Sequence, residues 1–555
     1  MYESMVCEII VIVIILFALG RKNKAVSGTK LPETFLKSYR IYELFVFLGV
    51  TLLIITRIYK FGQIPGGINQ DEAMAAVDAY ALANYGTDRF GMSYPVHFTA
   101  WGYGQMSVLL SYLMIPFMKI WGLSVITARL PMLITSIAGA LFLFLLIKQV
   151  AGNRAGLIAL FLVTINPWHF MQSRWSLDCN IFPHLFIAGL FFLNKGIRKT
   201  RYLYISMFLF AMSMYSYGVS FYMVPFFLIA ACIILNIKKK ITIGKSITLA
   251  ATYLLFSWPI YLTMFINFIG GKTIHFFKLT IPFFEDSIRS GDIIFFSDDP
   301  WQQLKSNLHS LVHVVFVQGG DYLWNALDNF GTLYWCTIPF VLVGLVVCIL
   351  RIKTKEKVRY SYIFFLLYWC FALLLGVFIA NVNVNRINIV FYAQLILAVI
   401  GIDYILEKRK TMLMPIFAIY VYMTILFSKQ YFQVYAREIE GVFFADFIQA
   451  IEDARDYESD RYYIALASEY DEAANCAEIL TLYAQKMDSQ YFQGKTDNFI
   501  GHEIAYRERY YYRIPSDEEI SQDIDTVYVL RNNQRERFDE NEYTIKEYGE
   551  FLLIY

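Results

Sequence analysis

Two acids stand side by side at Asp71 and Glu72, at the head of the alanine-rich stretch INQDEAMAAVDAYALANYGTDR that runs from Ile68 to Arg89. The stretch predicts a helix, and its alanines allow other elements to approach closely. Acids in a first helical turn have two readings. One is structural, because carboxylates cap a helix start and complement its dipole. The other is chemical, because a carboxylate at a membrane–water boundary can act as general base on an acceptor hydroxyl. The residue pattern leaves both open. In SRWSLDCN, Arg174 and Asp178 stand four residues apart. On a continuous helix they share one face and form an ion pair. Alternatively the guanidinium faces a phosphate, while the acid orients it or the acceptor. Arg129 begins a long apolar run, and Arg386 lies in NVNVNRIN before another. Arginines at such ends serve as snorkelling anchors or as contacts for anionic head groups.

The elements that must position these residues follow from composition. Of 555 residues, 57% are hydrophobic and 17% charged, too apolar for a soluble protein, where about 25% are charged. Spans need roughly 20 mostly apolar residues each. Runs of that kind lie near 5–20, 41–59, 125–147, 155–172, 181–194, 202–217, 219–237, 246–264, 332–350, 360–380, 387–406 and 411–428, some of them short. Lys and Arg concentrate in the loops 21–40, 195–201, 238–245, 351–359 and 408–410. With alternating helices all five fall on one side, which the positive-inside trend makes cytoplasmic. That parity requires 106–121 (MSVLLSYLMIPFMKIW) to lie along the membrane surface rather than cross it. The fold class expected is therefore a polytopic α-helical membrane protein of about 11–12 spans with a small C-terminal α/β external domain.

The net charge of +2 conceals an asymmetry, since residues 429–555 carry 13 Lys/Arg against 27 Asp/Glu and the remainder carries 35 against 19. The organisation expected is an extra N-terminal membrane helix in 1–24, a membrane module over 25–264 with a large external loop at 60–124, and a second large external loop at 265–331. Membrane helices over 332–428 and an acidic external domain over 429–555 complete it. The tail alternates helix-like and strand-like segments, GVFFADFIQAIEDAR, RYYIALA, EAANCAEILTLYAQKM, DTVYVLRN and EYGEFLLIY, which reads as α/β. The seven cysteines are scattered without metal spacing. His309 and His313 lack a third ligand, and Asp298-Asp299 before Pro300 reads as a turn. No P-loop, nucleophile elbow or zinc-protease motif occurs. Nothing points to an ATP-driven pump or a nucleic-acid partner.

Several features recur together: the Asp71-Glu72 pair in a long first external loop, GTDRFGMSYP from Gly86 to Pro95, and the surface helix ending in Trp121-Gly122. The block ITARLPMLITSIAGALFLFLLIKQVAGNRAGLIALFLVTINP and SRWSLDCN follow. Over residues 66–178 this succession resembles bacterial membrane glycosyltransferases of family 39. These belong to the GT-C superfold, with the protein O-mannosyltransferases and the lipid A aminoarabinose transferases. The resemblance implies inverting transfer of a sugar from a polyprenyl-phosphate donor to an acceptor hydroxyl, with the residue at Asp71 as base. It implies cationic side chains on the leaving phosphate, here Arg174, Arg129 and Arg386, and neither a nucleotide sugar nor an essential metal. The carry-over to Glu72, Arg129 and Arg386 is looser than to Asp71. Where relatives of the lipid A transferases carry a lysine, this chain reads YPVHFTAWGYGQ, with His97 instead. The acceptor is a lipid, a protein or a cell-wall glycan, and the setting is the outer face of the plasma membrane. The alternative is a transporter or flippase, or a polymerase or ligase, of lipid-linked glycans. A transporter would place charges within the bundle and show inverted repeats with broken helices.

Overall fold

The computed structural model describes residues 10–14 and 39–555, apart from 102–103, 286–293, 295–296, 320, 354–357, 468–470, 500 and 523. Of the first expected run, 5–20, residues 10–14 are helical; the rest, with the loop at 21–38, lies outside the described residues.

The chain then forms α1 (Tyr39–Ile58), α2 (Gln70–Tyr85), a short hairpin of β1 (His97–Thr99) and β2 (Gln105–Ser107), and α3 (Leu109–Trp121). Next come α4 (Val125–Ala151), α5 (Asn153–Ile165), α6 (Pro167–Gln172), α7 (Asp178–Gly196), α8 (Arg201–Ser213), α9 (Ser220–Ile237) and α10 (Ile243–Phe268). A second hairpin, β3 (Ile274–Phe276) with β4 (Leu279–Ile281), precedes α11 (Pro300–Val312). Helices α12 (Ile338–Ile352), α13 (Arg359–Phe378), α14 (Ile389–Lys408) and α15 (Leu413–Gln430) complete the bundle.

Among the described residues, eight helices are long and apolar enough to cross a membrane, and the protein is a multi-pass membrane protein. The expected runs at 155–172, 181–194 and 202–217 become α5 with α6, α7 and α8, which are shorter or more polar. The run at 155–172 is broken because Pro167 has no N–H to continue α5. Asn166 is extended (φ −67°, ψ 127°), and its side chain accepts from the His169 N–H at 2.9 Å, starting α6 instead. Helix α3 has 13 residues, about 20 Å of length against a hydrocarbon core of about 30 Å. It packs along α2 and α4. Helix α14 is the hub of the bundle, with 89% of its apolar stretch buried. It crosses α12 where a Cβ on Gly344 would lie 1.8 Å from the Leu397 carbonyl oxygen and one on Gly401 2.1 Å from that of Phe340. Only glycine permits that approach.

The last span does not stop at its expected end. A π-helical turn at Tyr431–Tyr435 carries α15 into α16 (Ala436–Val442). The C-terminal domain follows with α17 (Ala445–Ala454), β5 (Arg461–Ile464), α18 (Asp471–Ala484), β6 (Tyr510–Tyr511), β7 (Thr526–Arg531), β8 (Ile545–Tyr548) and β9 (Phe551–Ile554). Its five-stranded sheet has the order β8-β9-β7-β5-β6, with β5 parallel to β6 and β7 and the β8–β9 hairpin antiparallel. The α/β reading of the tail holds. The two-residue edge strand β6 had no sequence signal, since nothing in YYYR sets two residues apart as a strand.

Candidate active site

Helix α2 starts at Asn69, whose extended backbone (φ −70°, ψ 148°) and side-chain carbonyl fill the cap, accepting from the Asp71 N–H at 2.9 Å. Capping is therefore not the task of the Asp71 carboxylate. Asp71 lies partly buried in the first turn, beneath α18 of the C-terminal domain. There, burial together with the charge of Asp71 pushes the Cys476 thiol up to about 12.

Glu72, its neighbour, is fully buried. Its carboxylate receives the Arg129 fork, Nε to Oε1 and Nη2 to Oε2, both at 2.9 Å, and the Ser176 N–H at 2.8 Å. Arg129, equally buried, also donates to the carbonyls of Pro65 at 2.7 Å and Gly67 at 2.9 Å. One ion pair thus ties together α2, α4, the loop 60–69 and the segment 173–177. The sequence reading offered Glu72 as catalytic and Arg129 as a phosphate contact; the structure turns these two side chains toward each other instead.

Arg174 has a comparable fate. It does not share a helix with Asp178, because α6 ends at Gln172 and α7 begins at Asp178 itself. It is fully buried, and its guanidinium donates to the carbonyls of Ile64 (3.2 Å), Thr56 (3.3 Å), Arg57 (2.9 Å) and Tyr59 (2.7 Å). Those of Thr56, Arg57 and Tyr59 lie at the C-terminal end of α1, where a cation satisfies the orphan carbonyls well, and that of Ile64 lies in the loop that follows. Arg57, which sequence reasoning passed over, repeats the device. It donates to the Val163 and Thr164 carbonyls at the end of α5 and meets His169 Nδ1 at 2.9 Å. The signal was available, since Arg57 also stands at the end of an apolar run.

Asp178 is the first residue of α7 and nearly buried, and its carboxylate accepts from the Cys179 N–H at 2.7 Å. Arg386 is partly exposed on a short turn of helix and donates to the Ala380 carbonyl at 2.8 Å. His97 opens β1, buried, with its ring edge-on to Phe221 at 5.9 Å between centroids. Glu72 is therefore joined to Arg129 and the Ser176 amide, Asp71 lies beside it in the same helical turn, and Arg386 and His97 belong to other elements.

The loop after α2 is closed by a second acidic pair that the sequence reading did not single out. Asp78 is buried and pairs with the Arg89 guanidinium. Asp88 accepts from the Phe90 and Met92 amides at 3.0 and 2.8 Å, while its other oxygen is buried without a partner. Burial, and then the neighbouring Asp78 charge, push the Asp88 carboxyl up to about 7. Gln493 of the C-terminal domain donates to the Arg89 carbonyl at 3.0 Å, and Tyr85 donates to Asp488 at 2.5 Å. The C-terminal domain is thereby fastened over the first loop. Among the described residues no group of three His, Cys, Asp or Glu side chains is placed to hold a metal ion.

Residues 106–262 match the family model described as dolichyl-phosphate-mannose-protein mannosyltransferase. ArnT from Cupriavidus metallidurans, solved bound to undecaprenyl phosphate, is 11% identical with a TM-score of 0.56, covering 93% of this chain and 98% of that one. The oligosaccharyltransferase AglB from Archaeoglobus fulgidus, in complex with an inhibitory peptide and a dolichol-phosphate, is 13% identical with a TM-score of 0.46, covering 81% and 64%. No curated protein matches the chain. The chain has the GT-C fold of ArnT, and the resemblance to O-mannosyltransferases and aminoarabinose transferases holds.

Proposed function

We propose that this protein is an inverting membrane glycosyltransferase that moves a sugar from a polyprenyl-phosphate donor to an acceptor hydroxyl on the outer face of the membrane. The observation that carries the reading is the division of labour at the head of α2. Asn69 caps the helix, the buried Glu72 holds Arg129, and Asp71 stands partly exposed in the same first turn, at the position where the family resemblance puts the base. The fold supports it, since ArnT has the same architecture and was solved with a lipid phosphate.

In the proposed reaction the Asp71 carboxylate takes the acceptor hydroxyl proton as that oxygen bonds to the anomeric carbon. The bond from that carbon to the phosphate oxygen breaks on the opposite face, and the lipid leaves as its phosphate. One base and a stabilised leaving group suffice for a single displacement. Arg386 is the partly exposed arginine of the original three, so we assign it the donor phosphate and leave Arg129 and Arg174 as positioning residues. The external placement rests on the one-sided Lys/Arg loops and the acidic tail. Purified protein supplied with polyprenyl-phosphate hexoses and pentoses is expected to release polyprenyl phosphate and a glycosylated product. Movement of intact donor across proteoliposomes without release would instead establish the flippase reading.

A further inference from the structure

A concavity opens beside the loop that leads from α1 towards α2. It has a volume of about 630 Å³ and lies where the chain leaves α1 and where α15 turns into α16. Lys60, Gln63, Gln433, Arg437 and Glu440 line it. The two elements are locked together at its floor, where the Tyr59 ring meets Phe432 edge-on at 5.2 Å. The π-helical turn at Tyr431–Tyr435 supplies three of the lining positions, Phe432, Gln433 and Val434; such inserted turns recur at functional sites.

Two cations and two amides therefore surround an open space, with one acid, Glu440, beside them. Lys60 and Arg437 are exposed, and neither forms an ion pair or side-chain hydrogen bond among the described residues. That separates them from Arg129 and Arg174, whose guanidinium nitrogens all donate to protein acceptors. The flanks are apolar and unpacked: Ile55, Ile58, Tyr59, Ile425 and Val434 are between 46% and 62% exposed. The first and last spans are also the least buried, 17% and 28% of their apolar stretches, so the space between their ends opens sideways to the bilayer.

We infer that this groove binds the head group of an anionic phospholipid, its phosphate between Lys60 and Arg437, its glycerol oxygens on Gln63 and Gln433, and its chains along α1 and α15. A snorkelling lysine alone needs no concavity and no amides. The lateral opening suits a lipid of the surrounding bilayer, whereas the helix that begins with Asp71 packs against α18. The inference does not depend on the glycosyltransferase reading.

The test is native mass spectrometry of the full-length protein released from mixed micelles holding phosphatidylglycerol and phosphatidylcholine in equal amounts. Each cation near a membrane surface contributes roughly fivefold to anionic lipid binding. The wild type is expected to retain phosphatidylglycerol over phosphatidylcholine by about tenfold or more, and Lys60→Gln with Arg437→Gln to reduce that to near parity at unchanged thermal stability. Glu440→Gln, which removes the one repulsive charge, is expected to strengthen retention. Equal lipid retention in the wild type, or an unchanged preference in the double variant, overturns the assignment. Displacement of phosphatidylglycerol by equimolar polyprenyl phosphate, with a raised donor KM in the double variant, would make the groove the donor's and overturn it too.

Discussion

Asp71 and Glu72 are neighbours in sequence and occupy opposite environments, and the sequence cannot tell them apart. Their shared helix start was legible from the alanine-rich stretch. The partner that decides between them was not, because Arg129 lies 57 positions away along the chain. Glu72→Gln leaves the Arg129 guanidinium buried with a neutral partner. Breaking a buried pair costs about 3–5 kcal/mol, so the variant is expected to unfold well below the wild type in a thermal scan, whatever remains of its turnover. Asp88 makes a prediction about pH. Its carboxyl is raised from the ordinary 3.8 to about 7 in the folded protein, so the fold binds a proton that the unfolded chain releases. The stabilisation is complete below about pH 4 and is lost as the pH rises through about 7. Melting temperature should therefore fall over that window, and Asp88→Asn, which mimics the protonated form, should flatten the fall. An identical slope in the variant would assign the dependence elsewhere.

At the scale of elements, the apolar runs were legible because a span must be apolar over its whole length. What ends them was less so. Arg174 looked like a ligand for phosphate, and the structure has it donating to four carbonyls at the end of α1 and in the loop after it. Sequence spacing does not reveal this, since the receiving carbonyls belong to a segment more than 100 residues earlier. Arg174→Lys keeps the charge but not the planar fork, so several of those carbonyls lose their donor. A loss of about 1–3 kcal/mol is expected, the cost of leaving a buried polar group unsatisfied, read as a lower melting temperature with donor KM unchanged. A raised KM at wild-type stability would return Arg174 to the phosphate. Gly67 is a second element-scale test. It has φ +71°, and a Cβ there would lie 2.2 Å from the Phe443 carbonyl oxygen. Gly67→Ala should therefore loosen the joint between the first loop and the C-terminal domain, increasing protease cleavage near that joint in folded protein.

At the scale of the whole molecule, the two-part organisation was written in the charge distribution, and the α/β character of the tail in its alternating patterns. How the tail is seated was not legible, because its contacts to the first loop, such as Tyr85 with Asp488 and Gln493 with the Arg89 carbonyl, join segments some 400 residues apart. The orientation predicts that a cysteine introduced at the exposed Asn533 is labelled by a membrane-impermeant maleimide in intact cells, against a background without exposed native thiols. Labelling confined to permeabilised cells would invert the topology and remove the proposed setting of the reaction.

The account depends most on Asp71 as the base. The measurement is transfer of a labelled sugar from a polyprenyl-phosphate donor by purified Asp71→Asn protein, with thermal unfolding and donor binding as controls. Loss of general-base catalysis typically lowers the rate 10²–10⁴-fold. The account predicts a fall of about that size with melting temperature and donor affinity unchanged, since the helix keeps Asn69 as its cap. Turnover near the wild-type level in well-folded Asp71→Asn would contradict it.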